Sequence, residues 1–251
     1  MPIASAMLLL FATLGTAFLS GIFGMSGGLI LMGVLLSLFA VPQAMVAHGL
    51  LQMVANGWRS FLLRRDIQLQ ILFYYVLGAL VAIGLLFLIA WRPQRSIVFL
   101  LLGLVPFLVW LPKSLFHLDA NKPAHAMAAG VLVTALNTFA GVAGPMLDIF
   151  FVQTNLNRHQ IVATKSISQM MAHLVKIMFW SGIAFHGAID AQRELLVLLL
   201  IAIPVSMSGT WLGGKVLNRL TDRSFLQWVR GLVSVIGTVY LVRAALLWWG
   251  H

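Results

Sequence analysis

GIFGMSGGLILMGVLLSLFA (Gly21–Ala40) decides the fold. Four glycines fall within its first eight residues, and the apolar run after them, about 27–40, is too short to cross a bilayer core of roughly 30 Å as a straight helix. GVAGPMLDIFF (Gly141–Phe151) has the same design, with the short run at about 145–155. Around these lie longer apolar runs, at about 4–23, 43–62, 67–90, 95–111, 124–140, 160–181, 193–214 and 224–249. Backbone polar groups inside lipid must be satisfied within their own segment, so these runs read as helices. Barrel strands would alternate polar and apolar residues, and these runs do not. The fold class is therefore an all-α polytopic membrane protein.

Composition agrees. Of 251 residues, 61% are hydrophobic and 9% are charged, where a soluble domain needs about a quarter charged to cover its surface. The net charge of +10 does not mark a nucleic-acid binder, because Lys and Arg sit in short loops between apolar runs, as the positive-inside rule expects. The partners implied are the lipid bilayer and a small anionic substrate, with no nucleic acid. The chain has no cysteine, which excludes disulfides and thiolate metal sites; no metal or cofactor is expected. Met1–Phe11 lacks a basic leader region and reads as the start of a retained helix. The expected location is the cell inner (plasma) membrane, crossed several times. Trp91, Trp110, Trp180, Trp248 and Trp249 lie near run ends, where interfacial aromatics are expected.

The chain reads as two homologous halves, 1–111 and 124–251, joined by a loop at 112–123. At a shift of 117 positions Gly24 meets Gly141, Gly27 meets Gly144, Gln43 meets Gln160, Gln52 meets Gln169 and Arg59 meets Lys176. At a shift of 128, Arg95-Ser96 meets Arg223-Ser224. Each half then holds a broken segment, a short helix and three full helices. With the Arg64–Arg65 loop inside, an inverted second half also places Lys113, Lys122, Lys215, Arg219 and Arg223 inside, which the charge rule favours. If each break and its short helix make one crossing, the repeats are parallel instead.

The glycine breaks are the first candidate site. Gly24, Gly27, Gly28, Gly141 and Gly144 let the chain leave the helix and approach a ligand closely. Unwound backbone in a membrane is tolerated where it lines a cavity, and paired broken helices point to a midplane transport site. The same glycines also serve tight helix packing, the role assigned to Gly209 and Gly213. Two polar stripes come second. His48, Gln52, Asn56 and Arg59 fall within about an 80° arc of one helix face. Lys165, Gln169, His173 and Lys176 repeat that spacing, with Ser166 beside them. Ionisable groups at membrane depth are costly and face a bundle interior or water, so the two stripes read as opposite walls of one anion pathway. The bland alternative is interhelical hydrogen bonding, with Arg59 and Lys176 snorkelling to the surface. Lys165 is the cation expected on the central cavity, within reach of Gln52 or Gln169.

Asp66, Asp119, Asp190, Glu194 and Asp222 fall in or beside loops. Asp148 follows the second break and reads as a partner of Lys165 or His173, or as a proton relay. The coupling candidates are Asp148, His48, His173, Arg59 and Lys176, since histidine titrates near neutral pH. There is no H-E-x-x-H pair and no G-x-S-x-G, so an enzyme is not expected. A secondary transporter and an anion channel both fit these residues.

With both breaks in view, the chain resembles the sulfite exporter TauE/SafE family, also called toluene-sulfonate uptake permeases. The resemblance rests on GMSGGLILMGVLLSLFAVPQAMVAHG and GVAGPMLDIFFVQTNLNRHQIVATKS, with QMMAHLVK (Gln169–Lys176) continuing the second copy. The first copy carries Gly33 where a proline is usual, and Ala47-His48 where a Thr-Ser-like pair is common. The resemblance implies export or uptake of sulfite, thiosulfate or a short organosulfonate.

Overall fold

A computed structural model of the protein describes residues 2–23, 26–111, 117–151, 153–184, 189–217 and 222–249. The ten runs become ten α-helices among these residues: α1 (Ile3–Phe23), α2 (Ser26–Leu38), α3 (Val41–Leu62), α4 (Leu69–Ile89), α5 (Arg95–Leu104), α6 (Pro123–Ala140), α7 (Gly144–Phe151), α8 (Arg158–Ala184), α9 (Ile189–Leu217) and α10 (Asp222–Trp249). A 3-10 turn, Arg64–Asp66, precedes α4, and a 3-10 segment, Val105–Trp110, extends α5. Gly24, Lys113 and Arg219 lie outside the described residues.

Four helices are long and apolar enough to cross a membrane: Ile3–Ile22, Leu69–Ile89, Arg193–Val216 and Arg230–Trp249. Only 22% to 39% of each spanning window is buried, so these four form the outer, lipid-facing layer of a multi-pass membrane protein. The short helix α2 lies inside, with Leu29, Met32, Leu35 and Leu36 fully enclosed. The inner faces of α3 and α8 carry buried polar residues.

Helices of one half of the chain pack on helices of the other. α1 lies along α9, α4 along α6, α3 along α8, and α5 along α10. Glycines bring two of these pairs to backbone contact. A Cβ on Gly78 of α4 would overlap the Met127 carbonyl of α6, and one on Gly130 of α6 would overlap the Tyr75 carbonyl of α4. Across α1 and α9, a Cβ on Gly21 would come within 2.6 Å of the Thr210 carbonyl, and one on Gly209 within 2.6 Å of the Leu14 carbonyl. Gly213 meets the Phe18 carbonyl in the same way, so the packing role read for Gly209 and Gly213 is the one they have.

At the second break α6 ends at Ala140, and Gly141 takes the left-handed conformation (φ 83°) that closes a helix, its N–H bonded to Asn137 O at 2.9 Å. Two residues later α7 begins. Trp180 departs from the interfacial expectation. It is 2% exposed, and its indole Nε1 donates to Thr138 O at 2.9 Å. The reason is length: α8 runs on to Ala184, about a turn past Trp180, which keeps the indole inside. Trp91, Trp110, Trp248 and Trp249 are exposed.

The glycine contacts define a stability test. Gly130→Val and Gly213→Val, each pressed into a facing carbonyl, should destabilise by about 1–3 kcal/mol or more and lower the melting midpoint in detergent. Gly84→Ala, with nothing within 4 Å of the added carbon, should change it little. Equal midpoints for all three would remove the glycines from the packing account.

Candidate functional site

α3 starts after Ala40 in extended backbone, with Pro42 in its first turn, where a missing N–H costs nothing. From there 3.6-residue periodicity puts His48, Gln52 and Asn56 on the inner face. All three are buried. The inner face of α8 presents His173 and the half-buried Gln169 opposite them. Between the helices, beside the two breaks, is a cavity of about 20 Å³, room for one or two waters. It is lined by Gly28 after the first break, by Val142, Ala143 and Gly144 at the second, by Val133 and Asn137 of α6, and by His48, Gln52, Asn56, Gln169, Ala172 and His173.

Hydrogen bonds fix the histidine tautomers. His48 Nε2 lies 2.9 Å from Gly28 O, which can only accept, so Nε2 carries the proton. His48 Nδ1 is then the acceptor for Lys176 Nζ at 2.8 Å. Asn137 Nδ2 lies 3.3 Å from His173 Nδ1 and donates to it, which leaves the His173 proton on Nε2. The two rings stand 5.5 Å apart between centroids. Among the described residues, the side-chain amides of Gln52, Asn56 and Gln169 make no protein hydrogen bond. Gln52 packs beside Gly28, where an added Cβ would stand in ordinary contact, 3.4 Å from its amide carbon. The N-terminus of α7 opens on the same space, and its first N–H groups have no partners within their own helix. No carboxylate is among the lining residues.

The expected residues divide. Gly28, His48, Gln52, Asn56, Gly144, Gln169 and His173 come together on the cavity. Gly27 faces α1, where a Cβ would overlap the Thr16 carbonyl. Gly141 caps α6 and gives its carbonyl to Lys176 Nζ at 2.9 Å. Ser166 is buried away from the lining. Lys165 is not on the cavity. Its ammonium pairs with the Asp148 carboxylate, the partner the sequence offered, and both side chains are about a quarter exposed. The carboxylate draws the lysine along α7 instead of toward the amides. Arg59 does not snorkel freely, since its guanidinium donates to Ser20 O at 3.0 Å. Lys176 does not snorkel at all: it is 0% exposed. Asn137 was missed because a single amide in an apolar run gives no periodic signal.

A family model described as sulfite exporter TauE/SafE matches residues 8–241 of the chain. No curated protein and no solved structure matches it.

The Lys165–Asp148 pair yields a double-mutant cycle. Asp148→Leu leaves a half-buried ammonium without its counter-ion and should destabilise more than Asp148→Leu combined with Lys165→Met, which removes both charges. Thermal midpoints of the two singles and the double measure the coupling. A double no more stable than the worse single would mean that the pair is not coupled.

Proposed function

The chain belongs to the sulfite exporter TauE/SafE family, and from that premise we propose that it is a secondary transporter carrying a small sulfur-containing anion across the inner membrane. The substrate class is sulfite, thiosulfate or a short organosulfonate. The single observation that carries this reading is the cavity's chemistry: Gln52, Asn56, Gln169 and His173 turn unspent N–H donors into a buried space with no carboxylate on its wall. A desolvated oxyanion needs several donors, and neutral donors worth about 0.5–1.5 kcal/mol each hold it without trapping it. The start of α7 adds backbone N–H groups and a positive dipole end.

A carrier suits this cavity better than a channel, because the space is small, with room for one or two waters. The halves act as inverted repeats around it. A twofold relation between the halves, which inverted repeats require, is supported by the packing pattern, in which α1 on α9 becomes α6 on α4 when each helix is exchanged for its counterpart, while α3 on α8 and α5 on α10 map onto themselves; the inversion itself rests on the charge pattern of the loops. Such an exchange is the property of a twofold relation between halves. Proton coupling runs through His48 and His173, whose rings share the cavity with the anion.

Counterflow of labelled sulfite, thiosulfate and short sulfonates in proteoliposomes tests the proposal. Gln52→Ala and Gln169→Ala should each weaken the apparent affinity by about twofold to tenfold. Gly144→Leu should fill the cavity and abolish counterflow while the protein remains folded in the membrane. Unimpaired counterflow by the Gly144 variant would place the pathway elsewhere.

A further inference from the structure

Lys176 stands apart from the other cations among the described residues. Its side chain is fully enclosed in α8, where an ammonium is costly unless compensated. Its partners are the His48 imidazole at 2.8 Å and the Gly141 carbonyl at 2.9 Å, and neither carries negative charge. Asp148, the carboxylate nearest in sequence to either break, is held by Lys165. Lys176 is not part of the cavity wall, but His48 is. An ionisable lysine nitrogen therefore sits one hydrogen bond behind a cavity that offers only neutral donors.

We infer that Lys176 supplies the counter-charge of the transported anion, set behind the wall by His48 so that the anion is attracted without forming a direct ion pair. The arrangement rests on the transporter reading and deepens it. Lys176 is a positioning residue: its donation to Nδ1 also keeps the His48 proton on Nε2 and the ring against Gly28 O. A direct ammonium–oxyanion contact would hold the substrate more tightly and slow its departure. A charge one residue removed lowers the cost of bringing the anion out of water and leaves the contacts to the amides. This also separates the roles of the two membrane lysines, since Lys165 has its counter-ion within the protein and Lys176 receives one with the substrate.

The test is isothermal titration of purified full-length protein with thiosulfate, a dianion, and methanesulfonate, a monoanion. Lys176→Met should weaken thiosulfate binding by roughly tenfold to a hundredfold. It should weaken methanesulfonate by a smaller factor, because removing one positive charge acts on the substrate in proportion to its charge. Lys176→Arg should recover most of the loss. Unchanged affinities in the Met variant, or an equal loss for both ions with no recovery in Arg, would overturn the inference and leave Lys176 a structural residue. Lys176→Gln serves as a second neutral variant. If neither neutral variant folds, Lys176 belongs to the fold and the inference is overturned as well. If the wild type binds neither ion, the transporter reading itself fails, which is a separate result.

Discussion

A helix that breaks inside a bilayer leaves carbonyls without partners, and the protein must find donors for them from its own side chains. Here those donors come from two helices. Arg59 of α3 takes the Ser20 carbonyl near the end of α1, and His48 of α3 also donates to the Gly28 carbonyl in the first turn of α2, where it is N–H groups that a helix start leaves unpaired. Lys176 of α8 takes the Gly141 carbonyl, and Trp180 of α8 takes the Thr138 carbonyl in the last turn of α6. The polar stripes on α3 and α8 thus answer first to the backbone. Without them the chain could not stop, turn and restart a helix within the membrane.

The site is what remains after that obligation is met. Of the polar residues on the two stripes, Arg59, His48 and Lys176 bond backbone carbonyls, Lys165 pairs with Asp148, and among the described residues the side-chain amides of Gln52, Asn56 and Gln169 make no protein hydrogen bond. His48 joins the backbone bonds to the cavity wall: one ring nitrogen holds Gly28, the other receives Lys176.

Most of the fold is legible in the sequence because lipid enforces simple rules. All ten apolar runs are helices, and both glycine-rich interruptions fall between a long helix and a short one. Seven of the expected site residues do meet on one cavity, since a spacing of four residues fixes a helix face regardless of what lies opposite. What lies opposite is the part that was not legible. Lys165 and Lys176 are equivalent in pattern, yet one pairs with Asp148 and the other is sealed inside. The difference depends on the approach of α7 to one and of α3 to the other, which no periodicity within α8 records. Trp180 shows the same limit, because a run judged to end near residue 181 in fact continues and carries the indole inward.

The glycine contacts join α1 to α9 and α4 to α6, each a helix from one half of the chain clamped onto a helix from the other. The halves are therefore interleaved rather than set side by side. During synthesis, α1 and α4 enter the membrane before the helices that cover their glycine faces exist. Those two spans must wait in lipid with their glycine faces uncovered until α6 and then α9 are made. Assembly is therefore a late closing event, and truncation before α9 deprives α1 of its partner.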